Sequence, residues 1–166
     1  VLGILRRTQV DADTMVLTDM SRWVMSRWVR RVALWGLCAA YLQGGLDKLA
    51  DFPGAVAEMQ HFGIAPPVAA AAATIVLELL GSTLVITGLC RYAGALALAA
   101  FTLASTFIAN RFWEVHSADR FMMENAFFEH LGLVGGFLLV AWLDLRERHM
   151  PGFHELLNAC AAAARA

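Results

Sequence analysis

The sequence predicts an all-α protein: a four-helix transmembrane bundle with both termini cytoplasmic and short amphipathic surface helices. Three observations predict it. The chain of 166 residues is 59% hydrophobic and only 16% charged, against about 25% charged for a soluble domain. The missing charge is concentrated in four apolar blocks, each near the roughly 20 residues that a helix needs to cross a bilayer. Most of the arginines then fall on one side, while the opposite connections hold only Lys48, Arg111 and Arg120, mixed with acids. Arg22, Arg27, Arg30 and Arg31 precede the first block, Arg91 sits between the second and third, and Arg146 and Arg148 follow the fourth. By the positive-inside rule both termini face the cytoplasm. Four spans meet that condition with no segment left over.

Residues 1–28 read as a cytoplasmic or interfacial lead-in. Arg6, Arg7, Asp11, Asp13 and Asp19 interrupt the apolar core that a cleavable signal peptide needs. Trp23 and Trp28 suit the headgroup level, with the neighbouring arginines in the anionic leaflet. The membrane domain covers 29–143, with spans at about 29–49, 67–89, 92–110 and 121–143. The first is short and relies on flanking side chains to reach the interface. After it, Pro53 suits the first turn of a short helix. Val56, Met59 and Phe62 recur at helical spacing, which predicts an amphipathic helix on the outer membrane surface. Pro66 and Pro67 open the second span. Gly88-Leu89-Cys90-Arg91 reads as a tight turn in which Gly88 ends a helix, so spans two and three are antiparallel neighbours. Residues 144–166 form a cytoplasmic tail, with a second surface helix after Pro151.

Small residues stand where helices must touch: Ala40 and Gly44, Ala69 to Ala73, Ala93 to Ala100, and Gly132 with Gly136. Membrane helices associate through such close approach, so these read as packing and not as binding motifs.

Glu78 is the one charged residue between Phe62 and Cys90. A charge at that depth is costly and calls for a partner on another helix. It lies roughly 16 Å below the outer end of its span at 1.5 Å per residue. Thr74 and Ser82 share its stripe. In span one Gln43 and Asp47 share a stripe, with Lys48 beside it. In span three Thr102, Thr106 and Asn110 share one, with Ser105 adjacent. In span four Asn125, Glu129, Gly132 and Gly136 share one, with His130 adjacent. The candidate buried polar cluster is therefore Lys48, Glu78, Glu129, His130 and Gln43. Two meanings stay open for it: interhelical hydrogen-bonding glue, or a proton-handling or ligand-orienting site.

Several chemistries are not expected. No catalytic motif, nucleotide fingerprint or haem-ligand pair is present, and a net charge of −1 gives no sign of nucleic-acid binding. Cys38, Cys90 and Cys160 form no C-x-x-C pair and read as small hydrophobes. His130 beside Glu129 is too small a set for a metal site, and His61 and His116 lie in loops, so no metal is expected.

The ordered segments Gly44-Gly45-Leu46-Asp47-Lys48-Leu49, Gly63-Ile64-Ala65-Pro66, Leu77-Glu78-Leu79-Leu80-Gly81 and Thr87-Gly88-Leu89-Cys90-Arg91 resemble the DoxX family of small bacterial integral membrane proteins. Phe127 to Gly136 looks like that family's fourth helix, and the resemblance runs from about Val32 to Leu143. It implies a four-helix membrane bundle in the bacterial inner membrane, with Lys48 and Glu78 as the family's ionisable pair. It also implies a link to respiratory or sulfur oxidation, since founding members accompany a thiosulfate–quinone oxidoreductase. There is one departure. Related proteins commonly carry Lys-Asn where this chain has Glu129-His130, which changes the charge balance of the cluster.

The expected function is that of a membrane subunit associated with a quinone-linked redox system, not a stand-alone enzyme. No cofactor is evident in the sequence itself, and a quinone is the one the redox reading allows. The alternative is a non-enzymatic scaffold, assembly factor or small-molecule or proton permeation element. Expected partners are the lipid bilayer, a redox-enzyme subunit or a second copy of the chain.

Overall fold

A computed structural model describes residues 26–116 and 119–149. The lead-in before Ser26 and the surface helix expected after Pro151 lie outside the described residues. The chain divides into two compact units, 1–36 and 37–166, and the boundary falls inside the first helix.

The described residues form helices and connections with no strand. Helix α1 is Arg27–Ala50, α2 is Phe52–His61, α3 is Pro67–Thr87, α4 is Arg91–Ala109 and α5 is Arg120–His149. A short 3-10 turn, Phe112–Glu114, joins α4 to α5. Three stretches are long and apolar enough to cross a membrane: Pro67–Thr87, Arg91–Glu114 and Arg120–Arg148. Helix α1 is long enough at 24 residues but is not among them. Gln43, Asp47 and Lys48 lie in its second half and Arg27, Arg30 and Arg31 in its first turns, and they offset its apolar residues. Large apolar side chains such as Leu80, Phe128, Leu139 and Trp142 are exposed, as lipid contact requires.

In the first unit, Ser26 Oγ accepts the Val29 N–H at 3.3 Å where α1 begins. The Arg31 guanidinium lies over the Trp28 ring. In the second unit, α2 packs on α3, α3 on α4, and α4 on α5.

Local chemistry sets each connection. The Asp51 carboxylate caps α2 by accepting the Gly54 N–H at 3.0 Å, and Pro53 stands in the first turn. Ala55 and Met59 are buried with Ala71, and Phe52, Val56 and Ile64 pack around them. Helix α2 is thus docked on the first turns of α3. Gly88 ends α3 in the left-handed region at φ 83 and donates its N–H to Leu84 O, a conformation that glycine adopts without penalty. Phe107, Phe112, Trp113 and Phe127 pack edge-on across the α4–α5 connection.

Helices α3 and α4 approach backbone to backbone. A methyl group added at Gly94 would stand 2.7 Å from Gly81 O, and one at Gly81 would stand 3.0 Å from Leu98. Gly45 on α1 similarly lies against Leu79. Gly136 faces Leu37, while Gly132 and Gly135 face open space. The expected Gly132–Gly136 contact is therefore made at one end only. Four residues subtend about 400° of helix, so the stripe rotates off its neighbour.

Asp144 corrects an expectation. The sequence places it in a tail beyond the fourth block, yet α5 continues through it and it is only 4% exposed. Its Oδ2 accepts Arg148 Nε–H at 2.8 Å and the Tyr92 backbone N–H at 3.2 Å. Arg91 Nη1 lies 3.5 Å from its Oδ1. The arginines reach back in turn, Arg91 to Val85 O at 2.9 Å and Arg148 to Gly88 O at 3.3 Å. One carboxylate thus ties the α3–α4 turn to α5. Asp144→Ala should lower stability by about 2 kcal/mol, and Asp144→Asn by less, because an amide oxygen still accepts. Unfolding by denaturing detergent in lipid bicelles checks this.

Candidate functional site

Helix α1 presents Tyr41, Gly44 and Lys48 to one side, at the spacing of one helical face. Lys48 Nζ donates to Glu78 Oε1 at 3.2 Å and to Oε2 at 3.4 Å. Glu78 is 5% exposed. Gly44 leaves the room: a methyl group there would lie 3.4 Å from Lys48 Nζ and 3.6 Å from Glu78 Oε2. A buried carboxylate is tolerable only when paired and hydrogen-bonded, and this arrangement supplies both.

Helix α4 carries the next polar groups. Thr102 and Thr106 are buried. Thr102 sends its hydroxyl proton to Leu98 O one turn back, and Thr106 Oγ1 lies 2.6 Å from Thr102 O. Thr102 Oγ1 is then free to accept, so the Tyr41 hydroxyl donates to it. His130 on α5 turns its Nδ1 toward α4, 3.0 Å from Thr106 Oγ1 and 3.1 Å from Asn110 Nδ2.

Tyr41, Gly44, Lys48, Glu78, Thr102 and His130 line one cavity of about 380 Å³, with Thr106 and Asn110 behind His130 and outside the lining. Lys48, Glu78, Tyr41, Thr102, Ser105 and His130 are its principal polar groups. Phe101, Ile108, Leu133 and Met59 supply apolar wall, and α2 adds Glu58. The volume falls within the ordinary range of small-molecule sites, roughly 300–1,000 Å³.

The structure therefore brings Lys48, Glu78 and His130 to one cavity and leaves two expected members out. Gln43 and Glu129 are exposed and do not line it. The reason is angular. Successive helical residues are turned by about 100°, so Gln43 is carried off the face of Gly44, and Glu129 off the face of His130. Asp47 and Asn125, on the same stripes, are exposed as well. Tyr41 was missed because a tyrosine in an apolar block looks like core. Its signal was the shared face with Gly44 and Lys48.

Ser82 continues the Glu78 stripe and is fully buried, and its hydroxyl makes no hydrogen bond among the described residues. The buried Cys38 thiol is its neighbour, a weak partner at best. Cys90 is exposed, and Cys160 lies outside the described residues. Among the described residues, no group of three His, Cys, Asp or Glu side chains is placed to hold a metal ion.

Residues 31–111 match the family model described as DoxX. Residues 31–111 form a DoxX domain. No curated protein and no solved structure matches it. The DoxX match takes in α2, α3, α4 and nearly all of α1, and with them the Lys48–Glu78 pair. The sequence resemblance extends to Leu143, but the match ends at Arg111. His130 and Asp144, both on α5, lie beyond it. Together with the three apolar helices, the DoxX domain makes this a multi-pass integral membrane protein in contact with the lipid bilayer.

Proposed function

We propose that this DoxX protein is a bacterial inner-membrane subunit associated with a quinone-linked redox system. In this reading α1 is a fourth span, its polar face turned inward, and both termini are cytoplasmic. The observation that carries the reading is the cavity: apolar walls for a ring, with donors and acceptors placed around it. A quinone, when bound, supplies two-electron, two-proton chemistry. The chain itself would hold and orient it. Lys48 has three N–H donors and gives two to Glu78, which leaves one for a ligand. Tyr41, having donated to Thr102, offers oxygen lone pairs.

A second reading, a scaffold or proton-permeation element, is favoured by the row of hydroxyl and imidazole groups on α4 and α5. Lipid nanodiscs titrated with a short-chain benzoquinone separate the two. Saturable quenching of tryptophan fluorescence is expected, weakened about tenfold or more in the Lys48→Met/Glu78→Leu double variant. Absent quenching together with a proton flux in liposomes that the same double variant abolishes would replace the redox reading with permeation.

A further inference from the structure

We propose that His130 is the residue that recognises the ligand's carbonyl oxygen, and that its Nε2–H is the donor. The proposal rests on the cavity of the proposed function and names the chemistry that the cavity selects: a neutral ring carrying a hydrogen-bond acceptor.

Thr106 Oγ1 has a single proton and two acceptors in reach, Thr102 O at 2.6 Å and His130 Nδ1 at 3.0 Å, and can donate to an accepting Nδ1; the deciding group is Asn110. Asn110 Nδ2 is a donor only, and it stands 3.1 Å from His130 Nδ1. Nδ1 must present its lone pair to that amide. A neutral imidazole with an accepting Nδ1 carries its proton on Nε2. His130 lines the cavity, its Nδ1 edge is taken up by α4, and Nε2 makes no hydrogen bond among the described residues. The face of α4 thus fixes the tautomer and leaves one directed donor available to whatever occupies the cavity. A donor in an apolar-walled site selects against ligands that cannot accept, because it would otherwise be buried unpaired. Asn110 acts through His130 and is a positioning residue.

Three measurements test this in the full chain in nanodiscs. First, nitrogen-15 NMR of labelled histidine should show His130 as the Nε2–H tautomer, and Asn110→Leu should shift the population toward Nδ1–H. A wild-type Nδ1–H tautomer overturns the proposal. Second, the carbonyl stretch of bound short-chain benzoquinone should be lowered in the wild type and in His130→Gln, whose amide keeps a donor at that reach. It should return to the free value in His130→Leu, with binding weakened about three- to tenfold. Equal affinity and an equal stretch in wild type and His130→Leu overturn the role of His130 and leave the quinone reading standing. Third, an aromatic ketone with no redox chemistry covers the case in which the quinone does not bind. Ketone binding that His130→Leu weakens supports carbonyl recognition although the quinone reading has failed. No binding of either probe overturns both.

Discussion

Lys48→Met should cost the fold about 3–5 kcal/mol, the magnitude for stranding one partner of a buried ion pair. Glu78 sits in the interior of α3 and is 5% exposed, so removing Lys48 takes away the one ion-pair partner its carboxylate has among the described residues. Glu78→Leu should cost less. Lys48 is in the last turn of α1, and a lysine stem released from its acid can extend toward the interface. The double variant Lys48→Met/Glu78→Leu should recover most of the loss, since an apolar pair of similar volume replaces an ion pair at little or no cost. Detergent-unfolding free energies for the four proteins give the cycle. A double variant as unstable as Lys48→Met would show that the lysine acts through packing alone.

Gly94→Ala should lower stability by about 1–3 kcal/mol, the usual range for overpacking. The added methyl would stand 2.7 Å from a backbone oxygen, Gly81 O, and 2.9 Å from Leu84 Cβ. A flexible side chain could swing away, but a helix backbone cannot, so α3 and α4 must separate. Gly132→Ala is the control. Nothing lies within 4 Å of its added methyl, and alanine is the better helix former by about 1 kcal/mol. Thermal unfolding should move in opposite directions for the two changes. Equal responses would show that glycine content, not the α3–α4 contact, is being measured.

Much of the architecture was legible because apolar length and glycine placement are local signals. Most block boundaries lie close to the observed helix ends, although the last helix runs on to His149, and Gly88 caps α3 as its position before Arg91 suggests. The polar groups were harder to place. Glu78 stands out as a charge in an apolar run, and the period of α3 puts Ser82 on its face. Which neighbour of a polar residue turns inward is a question of about 100°, and composition does not answer it. Gln43 and Glu129 look as buried as Gly44 and His130 until the facing helix is known. Asp144 was hidden for another reason. Its partners, the Tyr92 N–H and the side chains of Arg91 and Arg148, come mostly from a turn some 50 residues earlier in the chain, and no periodicity links them.

The Asp144 tie and the cavity occupy opposite ends of the same helices. Along α5 the distance from His130 to Asp144 is roughly 21 Å. At one end, charges knot the short α3–α4 turn to α5. At the other, α2 contributes Glu58 and Met59 to the cavity lined by Lys48, Glu78 and His130. Asp144 thus anchors the α3–α4 turn to α5 at the end of these helices away from the cavity, so a substitution among the cavity residues leaves the contacts of the anchor intact.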